Sequence, residues 1–197
     1  MAKIHGKIMD FEGKLLENAE VTFLDRTFNI VATGYSDEDG YYYLQTEEKT
    51  NGMVYATAQY GKSYLGFWCH NVNSDRYREM DIVVGQIEFL EFTKLLDRER
   101  ANAGITFKTL SLKALLGEGK RFSPGPDGLD LRVMIDGVLQ EGYRIEVEEV
   151  PHKDRMISLY HLVVPVAGIY NPREESILEI QLHDHGTGEK GMVRVLL

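Results

Sequence analysis

The stretch SDEDGYYYL, Ser36 to Leu44, sets three acids around a glycine and follows them with three tyrosines. Acids at alternate positions ahead of a glycine are how a calcium loop begins. Aligning Asp39 and Gly40 to the fifth and sixth positions of an EF-hand loop puts Asp37 at the third, Tyr35 at the first and Thr46 at the twelfth. Calcium takes six to eight oxygens, and the ligands missing here are the first acid and the bidentate Glu that closes the cage. The stretch therefore reads as a strand-joining turn whose Asp side chains accept local backbone N–H groups.

Other reactive pairs fail on the same kind of count. In LHDHGTGEKG, His183 and His185 could supply two nitrogen ligands, but zinc needs three or four, and convergence of His152, His161, Asp184 or a Glu does not follow from spacing. Cys69 and His70 are adjacent, and neighbours on a strand point to opposite faces, which separates a nucleophile from its base. In YRIEVEEV, Glu146, Glu148 and Glu149 could suggest a glycosidase pair, yet Glu146 and Glu148 alternate as the wet face of a strand does. ALLGEGKR has Ala114 where a phosphate-binding loop needs its first glycine and Arg121 where it needs Ser or Thr. No GxSxG elbow is present. The expectation is a protein that is not an enzyme, with no metal and no cofactor.

The elements that carry these residues are short alternating segments bounded by Gly, Asn and Asp, with almost no apolar recurrence at helical spacing. Strands are predicted over 3–9, 19–25, 30–36, 41–46, 53–60, 64–70 and 79–84, then 86–92, 105–112, 129–135, 143–150, 157–164, 177–183 and 191–196. In LDLRVMIDG, Leu129, Leu131, Val133 and Ile135 share one face while Asp130, Arg132 and Asp136 take the other, and Asp136-Gly137 supplies a hairpin turn from which Tyr143, Ile145 and Val147 return on the next strand. KLLDRERANAG, Lys94 to Gly104, reads as a short helix or polar loop, and GEGKRFSPGPDG, Gly117 to Gly128, as a mobile connection. Seven strands per half predict an all-β protein of two consecutive β-sandwiches, over 1–84 and 85–197.

Composition excludes several partner classes. With 22 Lys and Arg against 31 Asp and Glu, net charge is -9, and no basic cluster could neutralise a row of phosphates, so no nucleic acid is expected. The single cysteine forbids an intrachain disulfide. No run approaches the roughly 20 apolar residues of a membrane helix, and MAKIHGKIMD has no signal-peptide core, so no membrane insertion and a cytoplasmic location are expected; a chain whose signal had been removed would look the same.

HGKIMDFEGKLLENAEVTF, followed by GYSDEDGYYYL and NGMVYATAQYGK, resembles the carboxypeptidase regulatory-like domain, a seven-stranded, transthyretin-like sandwich. The matching positions are Gly6, Asp10, Gly13, Leu16, Ala19, Val21, Asp37, Gly40, Tyr42, Leu44, Gly52 and Tyr55, with REMDIVVG similar to the closing strand and Leu15 departing from a common proline. The resemblance covers roughly 3–84 and implies an accessory module without catalysis. The second half is similar to an immunoglobulin-like sandwich in strand count and turn spacing alone.

The resemblance turns Tyr42 and Leu44 inward, which turns Tyr41 and Tyr43 outward. Tyr41, Tyr43, Tyr64 and Trp68 are the candidate ligand-binding residues, because exposed rings supply contact area at little entropic cost. The function expected is a noncatalytic binding or structural module. Its partner would be a protein or a carbohydrate, with self-association into a larger assembly as a further possibility.

Overall fold

A computed structural model of the chain describes residues 2–46, 50–75, 77–97, 99, 101–117, 119–124, 128–166 and 175–197. It is all-β. The first half contributes β1 (Ala2–Asp10), β2 (Glu20–Asp25), β3 (Ile30–Tyr35), β4 (Tyr41–Thr46), β5 (Asn51–Thr57), β6 (Phe67–Asn73), β7 (Arg78–Glu79) and β8 (Ile82–Val84). The second contributes β9 (Ile87–Asp97), β10 (Asn102–Ser111), α1 (Leu112–Leu116), β11 (Leu129–Ile135), β12 (Val138–Leu139), β13 (Arg144–His152), β14 (Arg155–Pro165), β15 (Ile177–Asp184) and β16 (Lys190–Leu196). Burial alternates strictly along β4, β5 and β10, as the sequence pattern requires of strands with one face on a core.

Aspartates build the turns. Asp37 Oδ1 accepts from the backbone N–H of Asp39 at 3.0 Å and of Tyr41 at 2.8 Å, and Gly40 takes the positive φ of 72° that closes the loop. Asp25 does the same for Thr27 and Asn29, and Asp10 for Glu12 and Lys14. Of the acids of SDEDG, Asp37 is thus occupied by the backbone of its own turn.

A sheet of eight strands, in the order β12-β11-β15-β16-β6-β5-β2-β3, runs through both halves of the chain. Its two halves join where β16 lies parallel to β6, pairing Val193 with Trp68, Arg194 with Cys69 and Val195 with His70. Alternation then divides the side chains between two cores. Phe67, Cys69, Met192 and Leu196 point to one face, where the sheet of β4, β1, β7 and β8 covers them. Val193, Val195, Leu178, Ile180, Val133 and Ile135 point to the other, under the sheet β13-β14-β10-β9. The two covering sheets sit on opposite faces and at opposite ends of the long one.

The expected hairpin of 129–135 with 143–150 does not form: the turn at Asp136-Gly137 returns only through the two-residue β12, and β13 crosses to pair with β14 in the other sheet, where Ile145 and Val147 face the second core. The segment Lys94 to Gly104 departs from expectation as well. Lys94–Asp97 ends β9 and Asn102–Gly104 begins β10, with Asp97 opposite Asn102, so the segment is the closing end of a hairpin; residues 98 and 100 lie outside the described residues. Its good helix formers are overridden because Ala103 and Ile105, on alternate residues, are buried in the core against β14. The helix instead forms at Leu112–Leu116, within and beyond the end of a predicted strand, where the Ser111 hydroxyl caps it by accepting from Ala114 N at 3.2 Å. The connection read as mobile is pinned in part: Phe122 N donates to Met156 O at 2.8 Å, and Ser123 Oγ bridges Thr109 O and Ser158 N. Residues 118 and 125–127 of it lie outside the described residues.

Candidate functional site

Trp68 lies on β6, on the face of the long sheet opposite the first core. Its indole Nε1–H donates to Glu88 Oε1 at 3.0 Å, and Tyr60 OH donates to Glu88 Oε2 at 2.9 Å. Tyr55 packs on the indole with 4.4 Å between centroids. Glu88 is buried and accepts from these two neutral donors, with no ion pair to it among the described residues. Burial, then the Glu88 charge, pushes the Tyr55 and Tyr60 phenols well above their usual range. The cluster fixes the ring plane of Trp68.

Two residues along the strand, and so on the same face, stands His70. Trp68 and His70 are stacked at 6.0 Å and 18°, and His70 and Phe92 of β9 at 4.7 Å and 13°. The stack continues through Phe107 to Tyr160, at 15° and then 8°, into the second core. Burial pushes the His70 imidazole down to about 4, with the Lys94 ammonium adding to the shift, so the ring is neutral at neutral pH. Its Nε2 is buried and meets no hydrogen-bond partner among the described residues.

Backbone irregularities aim these rings. Between β5 and β6 the register shifts at Gly52/Met53, leaving Asn71 as an extra residue at φ 63° beside His70. Between β9 and β10 it shifts across Thr106/Lys108, with Glu91 at φ 50° beside Phe92. In the turn after β2, Phe28 holds φ 64° and stands edge-on to Trp68 at 6.4 Å, with 65% of its surface exposed. Bulges re-aim side chains, and non-glycine residues at positive φ persist only where their surroundings enforce them. Here they border a cavity of about 360 Å³, lined by Phe28, Met53, Trp68, His70, Phe92 and Thr93 among others.

No protein-family model matches the chain, and no curated protein matches it. Among solved structures it is similar to BcpA, the major pilin subunit of Bacillus cereus. The identity is 13% and the TM-score 0.31, over 99% of this chain and 69% of that one. An aspartate-to-alanine variant of the same pilin gives 14% and 0.31, over 98% and 67%.

The four residues singled out from sequence fall in three places. Tyr41 and Tyr43, 51% and 46% exposed, stand on the outer face of the β4-β1 sheet, with the ammonium of Lys7 4.7 Å from the first ring centroid and that of Lys3 5.6 Å from the second. Tyr64 ties a loop to the first turn by donating to Asp10 Oδ2 at 3.0 Å, and burial followed by that hydrogen bond pushes its phenol up to about 12. Trp68, on a different sheet from Tyr41 and Tyr43, alone reaches the groove. Sequence reasoning passed over Phe28 and Phe92, and weighed His70 only as a base for Cys69. His70 had a legible signal, its two-residue spacing from Trp68, whereas Phe92 arrives through a bulge that no pattern announces.

The remaining pairs resolve simply. His183 and His185 lie 4.3 Å apart between centroids, and no group of three or more metal-ligating side chains converges among the described residues. Cys69 is buried in the first core, and burial pushes its thiol up to about 12. Glu149 accepts from Arg121 at 2.5 Å and from Ser158 Oγ at 2.7 Å. No described helix is long and apolar enough to cross a membrane.

Proposed function

We propose that the chain is a noncatalytic binding module, in which two β-sandwich lobes share one sheet and the groove over Trp68 takes the ligand. The observation that carries this reading is the groove itself: an apolar cavity walled by Phe28, Trp68, His70 and Phe92, with rings held in place by hydrogen bonds and backbone bulges. Apolar cavities with a few polar groups and a titratable residue of shifted pKa are the usual form of a ligand site. The walls suit a ring with an apolar face, and a pyranose sugar is the first class to try. This reading agrees with the resemblance of the first half to carboxypeptidase regulatory-like domains, as accessory modules, and with an immunoglobulin-like second lobe.

Trp68 is the single tryptophan of the chain, so its emission reports the groove directly. A glycan array identifies a sugar, and titration of that sugar shifts or quenches the emission with a saturable curve. Phe28→Ala weakens the titration while leaving the circular dichroism spectrum unchanged. A silent array, together with turnover in a broad hydrolase screen, would overturn the reading. A second reading, a subunit of a larger assembly, is favoured by the exposed Tyr41 and Tyr43 on one sheet and by the exposed Tyr77, which packs on His5 of the same sheet, and light scattering over a wide concentration range tests it.

A further inference from the structure

The second lobe is open along one side. β13 pairs with β14 over nine residues, Arg144 with Val163 through His152 with Arg155, and no described strand pairs with its other edge. Opposite it, the long sheet ends in β12, which is two residues long. Residues directly paired across strands share a face. Ile145 and Val147 lie opposite Leu162 and Tyr160, which are buried in the second core, so both point inward; yet they remain 37% and 41% exposed. Val138, paired with the core residue Ile135, also points inward and is 64% exposed. These inward apolar side chains lack a covering neighbour among the described residues.

The outer face of the same strand carries Arg144 at its start and then two acids. Glu146 and Glu148 alternate with Ile145 and Val147, and both are exposed. Two copies of β13 meeting antiparallel about Val147 would set Glu146 against Glu148 twice, which disfavours that self-pairing. A strand of opposite outer charge meets no such penalty. We propose that β13 is a docking edge for an extended segment of a partner protein in which apolar residues alternate with Lys or Arg. The segment adds as a fifth strand to the sheet β13-β14-β10-β9. Its backbone takes up the free N–H and C=O groups of the edge, its apolar side chains close the gap over Ile145, Val147 and Val138, and its cations lie beside Glu146 and Glu148. The site is on the second lobe and does not depend on the groove over Trp68.

A free, labelled peptide with the sequence AKIHGKIM is a suitable probe, because Lys3, His5 and Lys7 alternate there with Ile4, Gly6 and Ile8. With the full chain, fluorescence anisotropy should give saturable binding that weakens with added salt. Amide exchange should slow at residues 144–150 and not elsewhere. Glu146→Lys combined with Glu148→Lys should weaken this peptide about tenfold, given two cross-strand charge pairs reversed, and should admit a peptide with both lysines replaced by glutamate. Circular dichroism of the doubly substituted protein checks its folding. Absence of binding to the native chain overturns the proposal. So does protection at β4 or β8, which would mean the peptide displaces β1, or equal affinity in the charge-reversed protein. Concentration-dependent dimers held by β13 would replace the proposed occupant with a second copy.

Discussion

His70 makes acid stability a test of the groove's construction. The ring sits neutral between Trp68 and Phe92, held to about 4 by burial and then by the Lys94 ammonium, against an ordinary value of 6.5. The unfolded chain takes up the proton as pH falls through 6.5, while the folded chain resists it until about 4. Stability from the neutral ring is therefore complete above 6.5 and is lost as pH falls toward 4. At about 1.4 kcal/mol for each unit of pH in that window, the loss by pH 5 is about 2 kcal/mol. Asp25, held at about 2 by hydrogen bonds from Asn29 and Thr27, contributes stability that is lost only as pH falls below 3.8, so it does not enter this window. Urea denaturation at pH 7.5 and pH 5 measures the loss. His70→Phe keeps a flat ring in the stack without a titrating nitrogen, and it should lose about 2 kcal/mol less than the native chain over the same interval. Lys94→Met should raise the pH at which the loss levels off and so make it smaller, because the folded ring then takes up its proton sooner while the unfolded value of 6.5 is unchanged. Equal losses in the native chain and in His70→Phe would refute the argument.

Gly191→Ala tests the joint between the lobes: a Cβ there would fall within bonding-range overlap of Ile87 O and against Ile87 Cβ, and the backbone cannot yield as a side chain does. The expected cost is about 3 kcal/mol, read as a lower urea midpoint, and a change under about 0.5 kcal/mol would mean that β9 and β16 pack more loosely than described. Cys69, buried and with its thiol raised to about 12, should react with a thiol reagent only as fast as the protein opens, so fast labelling in native buffer would contradict its place in the core.

Local features were legible where one face of a strand decides the residue types. In β4 the alternation and the Asp-Gly turn ahead of it are plain in the sequence, while its sense, Tyr42 and Leu44 inward and Tyr41 and Tyr43 outward, was what the family resemblance implied. Alternation is equally plain in β11, where Val133 and Ile135 are fully buried. Lys94 to Gly104 was misread because intrinsic propensity speaks for a helix, and the long-range pairing of β10 with β14 outweighs it. The joining of the lobes was not legible at all. Residues Val193 and Val195 look like any alternating strand, and their pairing with Trp68 and His70 is set by contacts more than a hundred positions away. The groove shared that fate, since its rings come from β6, β9 and the turn after β2.

The position of the groove follows from the way the long sheet is covered. β6 belongs to both lobes: Phe67 and Cys69 face the first core, while Trp68 and His70 face the side on which the second lobe's sheet lies. That second sheet reaches only as far as its edge strand β9, so the face of β6, β5 and β2 beyond it has no covering layer among the described strands. Apolar side chains needed to seat β9 thus continue past its edge into solvent, and Trp68, Met53 and Phe28 form the strip that results. A groove at this step arises from stacking two sandwiches on opposite faces of one sheet. Its particular rings, held by Glu88 and by bulges at Asn71 and Glu91, exceed what covering the step requires, and that excess is the structural reason for reading it as a site.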